Sequence, residues 1–466
     1  MSESAAGSGR SEKTLLLAGV LLAIAGVAIR INNAFRYPPR WGFDAMFNER
    51  YVERLLGSFA LPAPDTDWST AHPPLFYYLS ATLGRLAGVS DSLGVITPTR
   101  LLGSLAGLTM AWLAFRLVRR NHPQEPVRAL LAAGLLLFLP VHLVMSAMFN
   151  EEILAAGLTS IAVVGVCVEL SRRSHGGSNW TRDIGIGVVA GLALLTKLTG
   201  LVVIAAAALA YLWAGVREGK LTMAARRAAV VVIVAGVVGG WFYVRNLALY
   251  GYIYPQDLST HSVMFSMPPG ERHVTDYLRV PLATFTDPQV LHPDLLRSVW
   301  GTTYLSAWYE GHGHFLPKQD PRVRQVGTLL LILALLPTVA FGVGAKRAAQ
   351  RAWHEPRGPD AALLLLTGLT LLGYIGFTWA NPMFATVKAG YLLGIGVPFA
   401  YFASDSLAGW TSRGGVVAAL VWLVLGALVV GVCLAFTYGI GLWNLTPPGV
   451  TPGLQWIPLP GTAEAG

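Results

Sequence analysis

Acidic residues in a largely apolar chain are the first candidates for chemistry, and one of them lies in the polar stretch Trp41–Tyr78. The stretch reads W-G-F-D-A-M-F-N-E-R-Y-V-E-R-L-L, then a turn rich in Pro and Asp, then A-H-P-P-L-F-Y-Y. Asp44 stands where a helical pattern begins, and a carboxylate is favoured at a helix N-terminus for structural reasons alone. A carboxylate at a membrane face can also take a proton from an acceptor hydroxyl. Spacing leaves both interpretations of Asp44 open.

A second pair of acids lies at the turn between two apolar segments, in M-F-N-E-E-I-L-A-A. Glu151 and Glu152 open a predicted helix, which again gives them a structural use. Acids at a membrane edge are functional candidates by default, and their oxygens suit hard divalent cations such as Mg, Mn or Ca. We therefore predict catalytic roles for both glutamates and a divalent metal bound by Glu151, Glu152 and Asp44. His312 and His314, in Y-E-G-H-G-H-F, are a further candidate ligand pair.

Four basic side chains are predicted to lie at the same face as these acids. His72 precedes a Pro-Pro pair at a helix start, where free backbone N–H groups favour phosphate. Lys197, Arg245 and Lys388 each fall at a predicted helix end on that side. Snorkelling explains one lysine at a helix end, whereas several cations meeting on one face predict a site for an anionic headgroup. Arg245 suits phosphate best, because a guanidinium can donate two parallel hydrogen bonds to it.

Membrane helices have to position these candidates. Of the 466 residues, 54% are hydrophobic and 13% are charged, whereas soluble domains carry roughly 25% charge. A mean hydropathy of +0.53 and repeated apolar runs of about 17 to 25 residues indicate an all-α polytopic membrane protein. We predict eleven transmembrane helices, at residues 14–30, 94–118, 127–148, 152–170, 183–197, 199–216, 228–246, 326–344, 360–379, 388–404 and 416–440.

The distribution of Lys and Arg predicts the orientation. Four short basic loops are predicted to lie in the cytoplasm together with the N-terminus, near residues 116–128, 172–182, 217–227 and 346–357. Two long polar segments, 31–93 and 247–325, and the Pro-rich tail 441–466 then lie outside, with the site. We predict a single transmembrane domain over residues 1–466 in a plasma (inner) membrane, with interfacial helices in both long outer loops.

The segment Pro73–Ala87 is apolar enough to be counted as a twelfth span. An even number of crossings must separate the N-terminus from the basic loop at Arg119, and the helices at 14–30 and 94–118 already provide two. The segment is therefore predicted to lie in the outer interface, where Tyr77 and Tyr78 are suited to the aromatic belt.

Two classes of partner are excluded. The net charge of +9 is explained by cytoplasmic loops and not by nucleic-acid binding. No Gly-rich nucleotide-binding loop is present, and the glycines lie in apolar helices, where they suit close packing. We expect no nucleotide cofactor and no nucleic-acid partner.

Six short motifs, taken in order, make the chain resemble the GT-C class of membrane glycosyltransferases, notably the protein O-mannosyltransferase and aminoarabinose-transferase-like branch (glycosyltransferase family 39 type). They cover about residues 14–405 and are an acid in the first outer loop (Asp44), H-P-P-L-x-Y-Y (His72 to Tyr78), an acidic second outer turn (Asn150 to Glu152), G-L-A-L-L-T-K (Gly191 to Lys197), W-x-Y-x-R-N (Trp241 to Asn246) and K-x-x-Y-L-L (Lys388 to Leu393). Where some members have a second acid directly after the first, this chain has alanine after Asp44.

The resemblance implies an inverting transfer of a hexose or pentose from a polyprenyl-phosphate-linked donor, within a membrane lipid environment. The acceptor would be a hydroxyl or amine of a protein, a lipid or a glycan. Acids would activate the acceptor or bind a metal, and these are Asp44, Glu151 and Glu152. The donor phosphate would be bound by His72, Lys197, Arg245, Lys388 and Tyr391.

Two other function classes explain part of the pattern. A secondary transporter or flippase for an anionic lipid or sugar would also be rich in apolar helices. Its ionisable residues, however, are expected near the midplane, whereas the acids here are predicted at one face. A non-catalytic assembly subunit explains the helices but not the convergent charges. A cavity at one face would favour the enzyme, and a site that opens to both faces in turn would favour transport.

Overall fold

The computed structural model describes residues 2–89, 91–172, 180–253, 267–316 and 321–440, with only the backbone for residues 2–12. These residues form helices and no β-strand. The α-helices are α1 (Ser2–Arg36), α2 (Ala45–Gly57), α3 (Leu75–Leu86), α4 (Ser92–Asn121), α5 (Pro126–Leu137), α6 (Pro140–Ala147), α7 (Glu152–Arg172), α8 (Trp180–Thr196), α9 (Gly200–Arg217), α10 (Leu221–Ala235), α11 (Trp241–Tyr250), α12 (Ala283–Thr286), α13 (Pro293–Leu296), α14 (Val299–Trp308), α15 (Pro321–Leu333), α16 (Leu335–His354), α17 (Pro359–Ala380), α18 (Gly396–Thr411) and α19 (Gly415–Phe436). Short 3₁₀ turns cover Trp68–Ala71, Val274–Tyr277, Phe384–Thr386 and Ala389–Ile395, and a π-helical turn covers Gly236–Gly240.

The all-helical membrane fold predicted from the sequence is confirmed. Within the described part of the chain, nine helices or continuous helix pairs are long and apolar enough to cross a membrane, and the bent pair α5 and α6 makes a tenth. The remaining predicted span corresponds to α8, which has 17 residues. A helix of this length rises about 26 Å, somewhat less than the roughly 30 Å of a bilayer core. The count of eleven therefore stays a prediction.

The span predicted at 127–148 is not one straight helix, which corrects the sequence-based boundary. Helix α5 ends at Leu137 and α6 begins at Pro140, and the two axes are inclined by 47°. Proline has no N–H to donate and disfavours helical geometry in the residue before it, so the ladder of hydrogen bonds stops here. Arg30 of α1 donates to the carbonyl oxygens of Leu136 (3.3 Å) and Leu137 (3.0 Å), which satisfies carbonyls freed by the break.

Both long polar segments contain short helices, as predicted. The first holds α2 and α3, and α3 has 12 residues, a rise of about 18 Å that cannot cross a membrane. The second holds α12, α13 and α14 in its described part. Residues 254–266 and 317–320 of that segment, and the tail 441–466, lie outside the described residues.

The four basic loops lie together at one end of the bundle. Ion pairs join them: Arg128 and Arg351 with Asp405, Arg357 with Glu218, and Arg227 with Glu169. Arg173 of the second loop lies outside the described residues. Helix α7 begins with Glu152 and ends at Arg172, so its 21 residues separate the acidic turn from the basic end by about 30 Å. The acids and the basic loops therefore occupy opposite ends, and which end faces the cytoplasm stays a prediction.

Glycines allow close helix contacts, as the sequence indicated. A Cβ on Gly344 of α16 would overlap the carbonyl oxygen of Phe402 in α18, and a Cβ on Gly239 would overlap the carbonyl oxygen of Gly191 in α8. Gly342, also in α16, has open space where its Cβ would be. Contact between α16 and α18 therefore requires glycine at position 344 and does not require it at position 342.

Gly344→Ala is expected to separate α16 from α18 and to lower the free energy of unfolding by about 1–3 kcal/mol, as overpacking does elsewhere. The measurement is thermal unfolding of the purified protein in one lipid or detergent. Gly342→Ala is the matched control and is expected to change stability by less than about 0.5 kcal/mol. Equal melting temperatures for the two variants would contradict the packing assigned to Gly344.

Candidate active site

Residues Asn150, Glu151 and Glu152, which we call the acid turn, join α6 to α7. The side-chain Oδ1 of Asn150 accepts a hydrogen bond from the N–H of Glu152 (3.1 Å), so the start of α7 does not need a glutamate as its cap. Both glutamate carboxylates are buried. Both accept a hydrogen bond from Lys197, whose Nζ lies 2.8 Å from Glu151 Oε1 and 2.7 Å from Glu152 Oε1. Two of the predicted acids, Glu151 and Glu152, thus meet at the ammonium of a third predicted site residue, Lys197.

Lys197 is fixed by the tight turn between α8 and α9. Its N–H donates to the carbonyl oxygen of Ala193 (2.9 Å), and its own carbonyl oxygen accepts from the N–H of Gly200 (2.9 Å). A Cβ on Gly200 would overlap the backbone nitrogen of Leu194, so only glycine allows this turn. The turn therefore fixes the backbone of Lys197. Its side chain points to the two carboxylates, whereas a snorkelling lysine would extend to the membrane surface.

Glu151 and Lys197 are held in their charged forms at neutral pH. Burial alone would raise the pKa of Glu151, but the nearby charges of Lys197 and His72 outweigh burial and lower it below its usual range. Burial would likewise lower the pKa of Lys197, and the two glutamates outweigh it and raise that pKa well above the ordinary value. His72 Nδ1 lies 3.9 Å from Glu151 Oε1, so this imidazole belongs to the same cluster.

Asp44 ends a tight loop that packs next to the acid turn. Its backbone is left-handed, with φ 56° and ψ 7°, a conformation that Asp tolerates better than most residues. Gly42 in the same loop has φ 109°, and a Cβ there would lie only 2.6 Å from Met148 Cγ. Although Asp44 directly precedes α2, its side chain makes no capping hydrogen bond. Within the described part of the chain its carboxylate has no hydrogen bond or ion pair, which leaves it open to a ligand.

Asn48 links the Asp44 helix to the acid turn. Its side-chain oxygen accepts hydrogen bonds from the hydroxyls of Tyr77 (2.9 Å) and Ser69 (2.7 Å), and its amide donates to the carbonyl oxygen of Phe149 (3.0 Å). Asn48 is fully buried, so these bonds form away from water. One side chain thereby connects α2, α3, the 3₁₀ turn at Trp68–Ala71 and the residue before the acid turn.

Tyr77 shows that the two acidic elements share one region. Burial raises the pKa of its phenol well above the usual value, and the carboxylates of Glu151 and Asp44 raise it further. Its hydroxyl lies 3.1 Å from His72 Nδ1. Since both carboxylates act on this hydroxyl, Asp44 and Glu151 both lie in the region around Tyr77.

Lys388 is a buried cation of a different kind. Its side chain is only 5% exposed, and its Nζ lies 4.2 Å from the ring centroid of Phe43 and 4.8 Å from that of Tyr391. Among the described residues no carboxylate pairs with it. Lys197 also lies near this ring, with its Nζ 5.2 Å from the centroid of Tyr391. Tyr391 therefore lies beside both lysines, and Phe43 brings Lys388 next to the Asp44 loop.

Arg245 is not joined to this cluster by a direct contact. Its guanidinium donates to Asn246 Oδ1 (3.1 Å) and faces the ring of Tyr250, with 5.5 Å from Cζ to the centroid. Its charge lowers the pKa of Tyr51 and Tyr78, although burial raises both overall. Arg245 thus lies beside α2 and α3, and its role as a phosphate ligand stays a prediction.

The loop around Glu310 places two imidazoles against Phe43. The Glu310 carboxylate accepts hydrogen bonds from the N–H groups of Gly313 (2.9 Å) and His314 (3.3 Å). This folds the loop so that the ring centroids of His312 and His314 lie 5.0 and 4.6 Å from that of Phe43. The histidine pair therefore borders the site through an aromatic residue.

The predicted metal site does not match the arrangement of donors. Within the described residues, no group of three or more His, Cys, Asp or Glu side chains is placed to hold a metal ion. The two glutamate oxygens that would bind a metal already accept hydrogen bonds from Lys197. Asp44, the third predicted ligand, is joined to neither of them by any contact.

Sequence reasoning missed Asn48 and Phe43. Asn48 lies four residues after Asp44, and this spacing places two side chains on one helix face, so the helical pattern could have indicated it. Phe43 is apolar and directly precedes a candidate acid, which gives no chemical signal. Its importance comes from three-dimensional contacts with Lys388 and the histidine loop.

Part of the chain matches a family model, and its fold is similar to that of solved structures. Residues 71–241 match the family model described as dolichyl-phosphate-mannose-protein mannosyltransferase. This region contains His72, the acid turn and Lys197. No curated protein matches the chain in sequence.

In fold, the chain is similar to the Archaeoglobus fulgidus oligosaccharyltransferase in complex with Zn and sulfate, with a TM-score of 0.56 and 15% identity over 91% of this chain and 53% of that chain. AglB from Archaeoglobus fulgidus, in complex with an inhibitory peptide and a dolichol-phosphate, has a TM-score of 0.52 and 15% identity over 92% and 56% of the two chains. ArnT from Cupriavidus metallidurans, in the apo state, matches at a TM-score of 0.39 and 16% identity over 87% and 81%. The chain spans about half the length of the oligosaccharyltransferase. The resemblance to the GT-C class of membrane glycosyltransferases is confirmed by the family model and by this fold.

Asn48→Ala is expected to lower the free energy of unfolding by about 1–3 kcal/mol, because it leaves buried hydrogen-bonding groups without partners. Thermal unfolding in lipid measures the change. Asn121→Ala, which removes one local hydrogen bond at the far end of α4, is the control and is expected to have a smaller effect. An equal effect of the two substitutions would argue against Asn48 as the link between α2 and the acid turn.

Proposed function

We propose that this protein is a glycosyltransferase that moves a hexose or pentose from a polyprenyl-phosphate-linked donor to an acceptor hydroxyl or amine at the outer membrane face, with inversion. One observation carries the proposal. Among the described residues, neither the carboxylate of Asp44 nor the buried ammonium of Lys388 has a counter-ion, and Lys388 faces the ring of Phe43, the residue directly before Asp44. Asp44 can therefore act as a base and Lys388 can bind an anion in the same region, because the two do not neutralise each other in a salt bridge.

The chemistry follows from these two charges. Asp44 accepts the proton of the acceptor hydroxyl as its oxygen attacks the anomeric carbon of the donor sugar. The bond between that carbon and the phosphate oxygen breaks, and the electron pair leaves with the polyprenyl phosphate. A single displacement of this kind inverts the anomeric carbon. Lys388 stabilises the negative charge that develops on the leaving phosphate.

The burial of Lys388 matters for phosphate binding. An ammonium that is removed from water and packed against two aromatic rings keeps part of its charge unsatisfied, and ring faces offer only partial compensation. A phosphate dianion or monoanion would complete its surroundings. His72, Arg245 and Tyr391 are proposed as further contacts to the donor headgroup.

The lipid nature of the donor is supported by the family and by the fold. The matching family model is named for a dolichyl-phosphate-linked mannose, and AglB of the same fold is described with a dolichol-phosphate. We propose that the lipid chain lies in the bilayer beside the helices while the sugar phosphate reaches the site at the outer end. The acceptor can be a protein, a lipid or a glycan.

The proposed activity is tested by incubating the purified protein in lipid with a panel of radiolabelled polyprenyl-phosphate sugars, and with candidate acceptors. Labelled product, or slow hydrolysis of the donor that depends on Asp44, is the expected result. Absence of both across the panel, together with protein-dependent movement of a lipid-linked sugar across vesicles, would replace the enzyme with the transporter.

Asp44→Asn is expected to lower turnover by about 10²–10⁴-fold, the usual contribution of a general base. Donor binding should stay within about twofold, because the side-chain shape is unchanged. Transfer rates and donor-binding isotherms measure the two effects. Glu53→Gln, an exposed acid on the same helix, is the control and should leave both unchanged. Retained turnover in Asp44→Asn would remove its role as base.

Lys388→Met is expected to weaken donor binding by about 10- to 100-fold, the loss that follows from removing one charged hydrogen bond to phosphate. Binding of the bare polyprenyl phosphate by calorimetry measures the effect without any turnover. Lys346→Met, at the basic end of the bundle, is the control. Unchanged affinity in Lys388→Met would contradict its assignment to the phosphate.

A further inference from the structure

We propose that Lys197 is the built-in cation of the acid turn. Its ammonium occupies the position between Glu151 and Glu152 that a divalent metal would otherwise take, so the site works without a metal there. The inference deepens the proposed function and rests on it only in locating the acid turn at the transfer site. The contacts that support it are independent of any activity.

The first support is the convergence of two adjacent side chains on one atom. Consecutive residues of a helix point in different directions, so two consecutive glutamates do not meet by default. Here Glu151 precedes α7 and Glu152 begins it, and the turn brings their Oε1 atoms to 2.8 and 2.7 Å from a single Nζ. The distances are those of charge-assisted hydrogen bonds.

The second support is the number of ligands that a metal ion needs. A Mg²⁺ ion takes about six oxygen ligands and Ca²⁺ about six to eight, and Zn²⁺ takes about four. The nearest further candidate, His72, has its Nδ1 engaged with the hydroxyl of Tyr77 at 3.1 Å. Two carboxylates alone can hold Mg²⁺ only when waters or phosphate oxygens complete its shell, whereas an ammonium has three N–H donors and already uses two of them on these oxygens.

The third support is the position of the ammonium itself. A divalent ion bound to the same two oxygens would lie in contact with Nζ, and like charges at that distance repel strongly in a buried site. The backbone of Lys197 is fixed by Gly200 and by backbone hydrogen bonds, so the ammonium could withdraw only if its side chain gave up the hydrogen bonds to both carboxylates. On its remaining side the ammonium faces the ring of Tyr391, 5.2 Å away. Lysine and metal are therefore alternatives.

The two lysines of the site consequently differ in role. Lys197 neutralises one of the two negative charges of the acid turn and positions both carboxylates, while Lys388 remains open to an anion. Without Lys197, the acid turn would repel the donor phosphate. Lys197 is thus a positioning residue that acts through Glu151 and Glu152.

The experiment titrates Mn²⁺ into the full-length protein in lipid and measures bound metal by electron paramagnetic resonance, which needs no substrate. Wild-type protein is expected to bind no more Mn²⁺ than the Glu151→Gln variant does. Lys197→Met is expected to gain Mn²⁺ affinity at least about tenfold, and Lys197→Met with Glu151→Gln is expected to lose the gain. Binding by wild type that depends on Glu151, or no gain in Lys197→Met, would overturn the proposal.

A thermal measurement covers the case in which Lys197→Met folds poorly. Its unfolding temperature is expected to fall because two buried carboxylates lose their counter-ion. Adding Glu151→Gln and Glu152→Gln to that variant removes both charges and is expected to restore most of the lost temperature. A triple variant no more stable than Lys197→Met would overturn the proposal. If no variant and no wild-type sample transfers sugar, the proposed function fails, while both of these readouts still decide the role of Lys197.

Discussion

The site depends on the hydrogen-bonded ion cluster in which one buried ammonium joins two consecutive carboxylates. A buried charge without a partner is strongly unfavourable, so two neighbouring buried carboxylates need the ammonium of Lys197 as a counter-ion. The cluster ties the start of α7 to the turn between α8 and α9. Asp44 and Lys388 do not belong to this cluster. The region therefore keeps one acid and one cation that can act on a ligand.

Neutral contacts then set the distances between the charged groups. Asn48 connects the helix after Asp44 to the residue before the acid turn, and Phe43, the residue before Asp44, faces the ammonium of Lys388 with its ring. Neither residue carries charge, yet both help to place Asp44 and Lys388 in one region, and within the described part of the chain no salt bridge joins these two. A direct salt bridge would have satisfied both groups and left nothing to bind a ligand.

The helices could be predicted from the sequence because the bilayer fixes their length, and α7 begins at the predicted residue. The break at Pro140 could not, since membrane helices tolerate proline when another group satisfies the freed carbonyls, and that group, Arg30, is distant in sequence. The candidate residues were found by type and position. Their pairing was not, because a pattern places Lys197 at a helix end but does not say which side chains it meets.

The difference between the two lysines shows where sequence reasoning ends. Lys197 and Lys388 both follow an apolar or small-residue segment, both were assigned to the donor phosphate, and both face Tyr391. Tertiary structure gives one of them two carboxylates and the other two aromatic rings. Because an ammonium held by acids has little charge left for a phosphate, whereas one held by ring faces keeps most of it, identical residue types at one site acquire opposite tasks: one organises the acids, and the other remains available for the anionic substrate.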